Sequence, residues 1–251
     1  MMSTKEADGV VVAWVRPSEV HGLFMENMLN LAYYDRAHHD RMGPGRGGFT
    51  SQQSSANISS ARNTLCMEFL TNHSAPWLLM LDTDMTFQPD LVEALLEHAD
   101  EDKAPIVGGL CFSMDNDGKL FPTLYDVMGT TESPEFVRYH EWQPESMMQV
   151  FATGAACLLI HRNALRAVRD HRDVDRPGQI GFSQAFPWFQ ETDFYGRAMG
   201  EDITFCLRAG RAGLPVFVNT AVKLGHIKQF ELNFEHFAGQ RALEEAKAAA
   251  A

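Results

Sequence analysis

Trp77-Leu78-Leu79-Met80-Leu81-Asp82-Thr83-Asp84 decides how this chain is read. Five consecutive apolar residues followed by two carboxylates have the form of a strand buried on both faces that runs out at a polar turn. Before it, Ser59 to Asn72 places Leu65, Phe69 and Leu70 at helical spacing. After it, a helix is expected over Pro89–His98 and a second buried strand over Ile106-Val107-Gly108-Gly109-Leu110. Nearer the N-terminus, Val10-Val11-Val12-Ala13-Trp14-Val15 is a β-branched run halted by Arg16-Pro17, and Leu23, Met28, Leu31 and Ala32 mark a helix from Ser18 to about Ala37. The repeated alternation predicts an α/β fold, a mostly parallel sheet with helices on both faces.

Residues Cys111 to Met148 lose this rhythm, and a change of topology is expected there. Strand character resumes over Val150-Phe151-Ala152 and Ala155–Ile160. Helices over Asn163–Arg172 and Ile203–Ala212, a strand Val216-Phe217-Val218 and a surface helix over Glu231–Ala251 complete the chain. No repeat or linker divides it, so one domain is expected over 1–230 with a helical tail over 231–251.

The composition narrows the function classes. The chain has 251 residues, 45% of them hydrophobic and 22% charged, which excludes general disorder. With 21 Lys+Arg against 33 Asp+Glu, the net charge of -12 opposes a broadly basic face for nucleic acid. Cys66, Cys111, Cys157 and Cys206 stand far apart without a C-x-x-C pair, which suggests neither a zinc knuckle nor a disulfide framework. The start MMSTKEADG lacks a signal-peptide pattern, and no apolar run approaches the roughly 18 residues of a membrane span, so the expected location is the cytoplasm.

In an open α/β sheet, ligands bind beyond the carboxyl ends of the strands, which places Asp82 and Asp84 at a crevice mouth. Two hard oxygen ligands there suit Mg²⁺ or Mn²⁺ bridging a pyrophosphate. Taken alone, D-x-D is more plainly a polar turn into the next helix. Gly200-Glu201-Asp202 alone is likewise an acidic first turn favoured by the helix dipole, and His226 a satisfied loop histidine. Together, a carboxylate at a helix start, a short strand and a following histidine form an active-site edge beside D-x-D.

Other motifs have simpler explanations. Gly43-Pro44-Gly45-Arg46-Gly47-Gly48 spells G-x-G-x-x-G, yet no strand precedes it; the segment Arg41–Ser60 reads as a mobile loop or lid. His38-His39-Asp40 reads as surface. Arg162, Arg166, Arg169 and Arg172 form a basic stripe, read as an ion-paired face with phosphate contact as the alternative. Between Phe182 and Tyr195, the rings of Phe186, Trp188, Phe189 and Phe194 suit either an acceptor-stacking platform or the core.

On Ala61-Arg62-Asn63, Leu79 to Met85, Thr153-Gly154-Ala155, Gly200-Glu201-Asp202 and His226, the sequence resembles the nucleotide-sugar glycosyltransferases of the GT-A fold close to glycosyltransferase family 2. In size it resembles the compact enzymes that bacteriophages encode, for which the host cytoplasm would be the location. The resemblance spans roughly 56–115 and 150–228. It implies a nucleotide-sugar-binding half at about 1–115 and an acceptor-binding half at about 116–230. It implies that Asp84 binds Mn²⁺ or Mg²⁺, that Asp82 approaches the metal and the ribose with Thr83 between them in the donor site, and that His226 completes the metal shell. Asp202 is then the base, with Glu201 as the alternative, and Arg62 reaches the donor phosphates. Trp14, Arg16 and Pro17 lie beside the nucleobase, and Gly154, Trp188 and Phe189 face the acceptor.

The implied reaction is transfer from a UDP-sugar to an acceptor hydroxyl on a hydroxymethylated DNA base, a protein or a glycan, with inversion. Its chemistry suits these residue types: a divalent cation neutralises the departing diphosphate, and a carboxylate takes the acceptor proton. A sugar nucleotidyltransferase would want a Gly-rich loop with Arg and Lys on the first strand. A non-catalytic glycan- or nucleic-acid-binding module would have no use for D-x-D, Glu-Asp and His226 together. The missing Q-x-x-R-W motif speaks against a processive polymerase.

Overall fold

The computed structural model describes residues 8–54, 57–115, 117–130, 133–171, 186–194 and 196–228 and a few positions of the tail. The helix expected over Glu231–Ala251 lies largely outside the described residues. Strand β1 (Val10–Arg16) buries Val10 to Ala13 completely, as β-branched side chains do on both faces of an interior strand. Helix α1 (Gly22–His38) starts at His21, whose ring Nδ1 accepts the Leu23 N–H at 3.2 Å.

The glycine-rich segment that follows corrects the expectation of a loop over its second part. The buried Asp35 carboxylate accepts the N–H groups of Arg41 and Met42 at 3.1 and 2.9 Å. A Cβ on Gly47 would collide with the carbonyl oxygens of Val10 and Arg41, so glycine stands where two backbones touch. The chain then enters β2 (Gly48–Gln53), an edge strand parallel to β1. Its small polar residues lie at that edge, so part of the expected loop is a strand.

Helix α2 (Ile58–Asn72) is capped by Asn57, whose Oδ1 accepts the Ser60 N–H at 2.8 Å. Next come β3 (Trp77–Asp82), β4 (Met85–Thr86), α3 (Leu91–Leu96) and β5 (Ile106–Leu110). Helix α3 is shorter than expected, and no side chain caps its start. Where the rhythm fails, the chain forms two antiparallel hairpins: β6 (Phe112–Met114) with β7 (Leu120–Pro122), and β8 (Leu124–Thr130) with β9 (Ser133–Arg138). The remaining elements are β10 (Met147–Val150), β11 (Ala152–Thr153), β12 (Cys157–His161), α4 (Arg162–Asp170), β13 (Thr192–Phe194), β14 (Arg197–Met199), α5 (Glu201–Arg211), β15 (Val216–Lys223) and β16 (Gly225–His226).

The central sheet has seven strands in the order β10-β15-β5-β12-β3-β1-β2. Strands β2, β1, β3, β5 and β15 share one direction, and β12 and β10 oppose their neighbours. Side chains alternate across the sheet. Val11, Ala13, Leu78 and Met80 pack with Leu65 and Phe69 of α2, Leu165 of α4 and Phe205 of α5. Val10, Val12, Leu79 and Leu81 pack with Phe24 and Leu31 of α1 and Leu91 and Leu95 of α3. One sheet thus unites both halves of the chain, flanked by helices on each face.

All four cysteines are buried free thiols. Arg162 donates to the carbonyls of Ala75 and His73 at 2.9 and 3.1 Å, while Arg169 pairs with Asp170, so the α4 stripe is partly structural; Arg172 lies outside the described residues. His38 and His39 take separate partners, the Tyr34 carbonyl and the Glu93 carboxylate. Among the described residues, no helix is long and apolar enough to cross a membrane.

Candidate active site

Strand β3 is buried from Trp77 to Leu81 and surfaces at Asp82, which lies in register with Val15 near the end of β1. The carboxyl ends of β1 and β3 therefore share one edge of the sheet, the side where open α/β sheets receive ligands. After the half-buried turn residue Thr83, β4 pairs antiparallel with β16, setting Met85 opposite His226 and Thr86 opposite Gly225. A Cβ on Gly225 would collide with the Thr86 hydroxyl, so this glycine permits the pairing. The Ile227 N–H donates to the Asp84 carbonyl at 2.7 Å.

This pairing joins two predicted residues 142 positions apart. His226 Nε2 lies 2.9 Å from Asp84 Oδ2, and Lys228 Nζ lies 3.5 Å from the same oxygen. The other ring nitrogen, Nδ1, lies 2.7 Å from the Phe112 carbonyl. An oxygen acceptor at each nitrogen stabilises the doubly protonated ring relative to a free imidazole. The Asp84 carboxylate raises the His226 pKa, the Phe112 carbonyl assists and burial opposes. Burial works to raise the Asp84 carboxyl in turn, but His226 and Lys228 hold it below its ordinary value.

Among the described residues, no group of three or more His, Cys, Asp or Glu side chains is gathered for a metal ion. Of the expected ligands Asp82, Asp84 and His226, Asp82 pairs with Arg62, while the structure brings Asp84 and His226 together. That pair nevertheless fits a divalent cation. A histidine that gives Nδ1–H to a backbone carbonyl presents Nε2 as a ligand in a fixed orientation, and a cation beside Asp84 would replace the Nε2 proton.

Asp82 is engaged elsewhere. Arg62 on α2, only 4% exposed, donates to Asp82 Oδ1 at 2.7 Å and to Glu201 Oε1 at 2.5 Å. The guanidinium expected to reach the donor phosphates is held here by these two carboxylates. Glu201 opens α5, and the adjacent Asp202 makes no ion pair with Arg62; its Oδ1 accepts the Ile203 N–H at 2.7 Å. Burial, then the charge of Glu201, raises the Asp202 pKa, while the Ile203 N–H and Arg62 oppose. Gly154 lies beside it: a Cβ there would stand 3.6 Å from both Asp202 Oδ2 and Thr123 Oγ1, so the bare glycine leaves a gap between them.

Trp14 packs edge-on to Phe24, Arg16 Nε donates to the Ser51 hydroxyl at 3.2 Å, and Pro17 is exposed beyond the strand. Trp188 and Phe189 are 2% and 0% exposed, which corrects the platform reading in favour of the core. The Trp188 indole N–H is spent on the Leu165 carbonyl at 2.8 Å, and Phe189 stacks on Phe205. The rest of that aromatic loop, 182–185 and Tyr195, lies outside the described residues. A cleft of about 1220 Å³ occupies the other end of the sheet, between Trp77, Glu93, Glu97 and His161. It contains neither acid of D-x-D and lies at the amino ends of β1 and β3, so its size does not make it the site. Sequence reasoning missed Lys228, two residues past His226, and the role of Asn63, which stood inside a quoted motif.

Among curated proteins, none matches the sequence. Two solved structures share the fold. A197 from STIV has 14% identity over 88% of this chain and 86% of its own, with a TM-score of 0.54. GalNAc-T7, crystallised with UDP, GalNAc and Mn²⁺, has 12% identity over 89% of this chain and 44% of its own, also with a TM-score of 0.54. This chain thus spans less than half of the GalNAc-T7 chain, and both likenesses speak for the fold, that of the GT-A glycosyltransferases. A family model described as glycosyl transferase family group 2 matches residues 77–242, from the strand that carries Asp82 to beyond His226. The chain belongs to that family.

Proposed function

We propose that this protein transfers a sugar from a UDP-sugar to an acceptor hydroxyl, with a divalent cation, Mn²⁺ or Mg²⁺, and inversion at the anomeric carbon. The observation that carries the reading is the meeting of Asp84 with His226 at one sheet edge where Arg62 also ties Asp82 to the start of α5. Asp84 and His226 would hold the cation, which when bound supplies Lewis-acid stabilisation of the departing diphosphate. Trp14, Arg16 and Pro17 would flank the nucleobase, and Asp82 the ribose, giving residues 1–115 the donor and 116–230 the acceptor.

In the transfer itself, the acceptor oxygen forms a bond to the anomeric carbon as the bond to the diphosphate breaks, and the hydroxyl proton passes to Asp202. Asp202 suits this better than Glu201, because Glu201 is bound to Arg62 whereas Asp202 borders the gap over Gly154. The acceptor hydroxyl belongs to a modified DNA base, a protein or a glycan, and the net charge of -12 weighs against DNA. A panel of UDP-sugars incubated with and without Mn²⁺ tests the class. Cation-dependent release of UDP supports glycosyl transfer; release of pyrophosphate from a nucleoside triphosphate and a sugar phosphate would establish a nucleotidyltransferase instead.

A further inference from the structure

Helix α5 carries Asp202 in its first turn but starts on Gly200 without a side-chain cap. Its placement therefore depends on groups outside it, and two consecutive residues of α2 provide them. Arg62 holds Glu201 directly. Asn63, 6% exposed, acts through the segment before α5: its Oδ1 accepts the Phe189 N–H at 2.8 Å and its Nδ2 donates to the Phe189 carbonyl at 2.8 Å. A carboxamide carries a donor and an acceptor side by side, which here meet the backbone N–H and C=O of one residue. The Phe189 ring stacks on Phe205 of α5, with centroids 4.7 Å apart and planes 14° apart. From the other side, Arg208 of α5 donates to Gln190 Oε1 at 2.8 Å.

We infer that Asn63 is a positioning residue for sugar transfer: by fixing the Phe189 backbone, and through it the stack on Phe205, it holds the first turn of α5 and with it Asp202 in place for the acceptor proton. This rests on the function proposed above. Asn63 touches no reacting atom in this scheme. It sets where the base stands, and the aromatic pair Trp188-Phe189 becomes the support between the two helices. A displacement of about 1 Å at a base suffices for a rate loss of about 100-fold, so a small slackening of α5 is measurable.

The test compares wild type with Asn63→Ala and, as a second variant that leaves the amide in place, Phe205→Leu. For folded variants the inference predicts kcat lower by about 10- to 100-fold, with Mn²⁺-dependent UDP affinity within about twofold of wild type. Hydrogen exchange at residues 201–205 should quicken in both. Unchanged kcat and unchanged exchange would overturn it, as would UDP affinity falling in step with kcat, the mark of general loosening. If Asn63→Ala does not fold, Phe205→Leu decides by the same readings. If wild type turns over no UDP-sugar, the proposed function fails, and the exchange at 201–205 still judges Asn63.

Discussion

Glu201 and Asp202 are adjacent carboxylates with different partners. Glu201 pairs with the buried Arg62, whereas burial and then the charge of Glu201 raise the Asp202 pKa above its ordinary value. Asp202→Asn should keep UDP binding and lose transfer by about two to four orders of magnitude, the usual worth of a general base. Glu201→Gln removes no base and keeps an Oε1 to accept from Arg62, so it should lose less than about tenfold in transfer, and it should lower stability because Arg62 loses one of its two charged partners. Steady-state rates of both variants check this; a Glu201→Gln that is the more inactive of the two would reverse the assignment. Spacing made Asp82, Asp84, Glu201, Asp202 and His226 legible as a group. It did not reveal that Arg62 is consumed by carboxylates, because its partner Glu201 lies 139 positions away and only the fold brings them together.

Strands and helices were legible wherever apolar side chains set a clear period, as in β1, β3 and α2. The segment 41–53 was misread because glycine carries no such signal: Gly47 is set by the nearness of two carbonyl oxygens, which no local pattern encodes. Gly47→Ala should therefore destabilise the fold by about 1–3 kcal/mol, as overpacking does, and raise exchange along β2. Chemical denaturation reads the first effect; equal stability would return the segment to a passive connection. The hairpins over 112–138 and the antiparallel course of β12 were also beyond the pattern, since strand direction leaves no mark on alternation.

The start of α4 gives a pH test. His161 Nδ1 accepts the Asn163 N–H at 3.4 Å, a bond that requires an unprotonated Nδ1. Burial, then Arg162, pushes its pKa from 6.5 down to about 4. The folded state thus binds the proton less readily than the unfolded state. This stability is fully present above pH 6.5 and is lost as the pH falls towards 4. By pH 5 the loss reaches at most about 2 kcal/mol, reduced by any pairing of the protonated ring with Glu101. His161→Asn, which keeps a capping oxygen without a titrating group, should flatten the fall in denaturation midpoint between pH 7 and 5. An equally steep fall in the variant would assign the acid sensitivity elsewhere.

The sheet gives the molecule two unlike ends. At one, β3, β4 and β16 bring Asp84 to His226 and Arg62 links Asp82 to α5; at the other is a cleft of about 1220 Å³ lined by Glu93, Glu97 and His161. Strand polarity and the paired carboxylates favour the first. The most direct measurement is calorimetric titration of UDP, with and without Mn²⁺, into wild type, Asp84→Ala and His226→Ala. The metal assignment predicts Mn²⁺-dependent UDP binding by wild type, and in each variant a loss of more than about 100-fold, beyond what removal of a ligand's supporting partner does. Unchanged Mn²⁺-dependent affinity in both variants would contradict it.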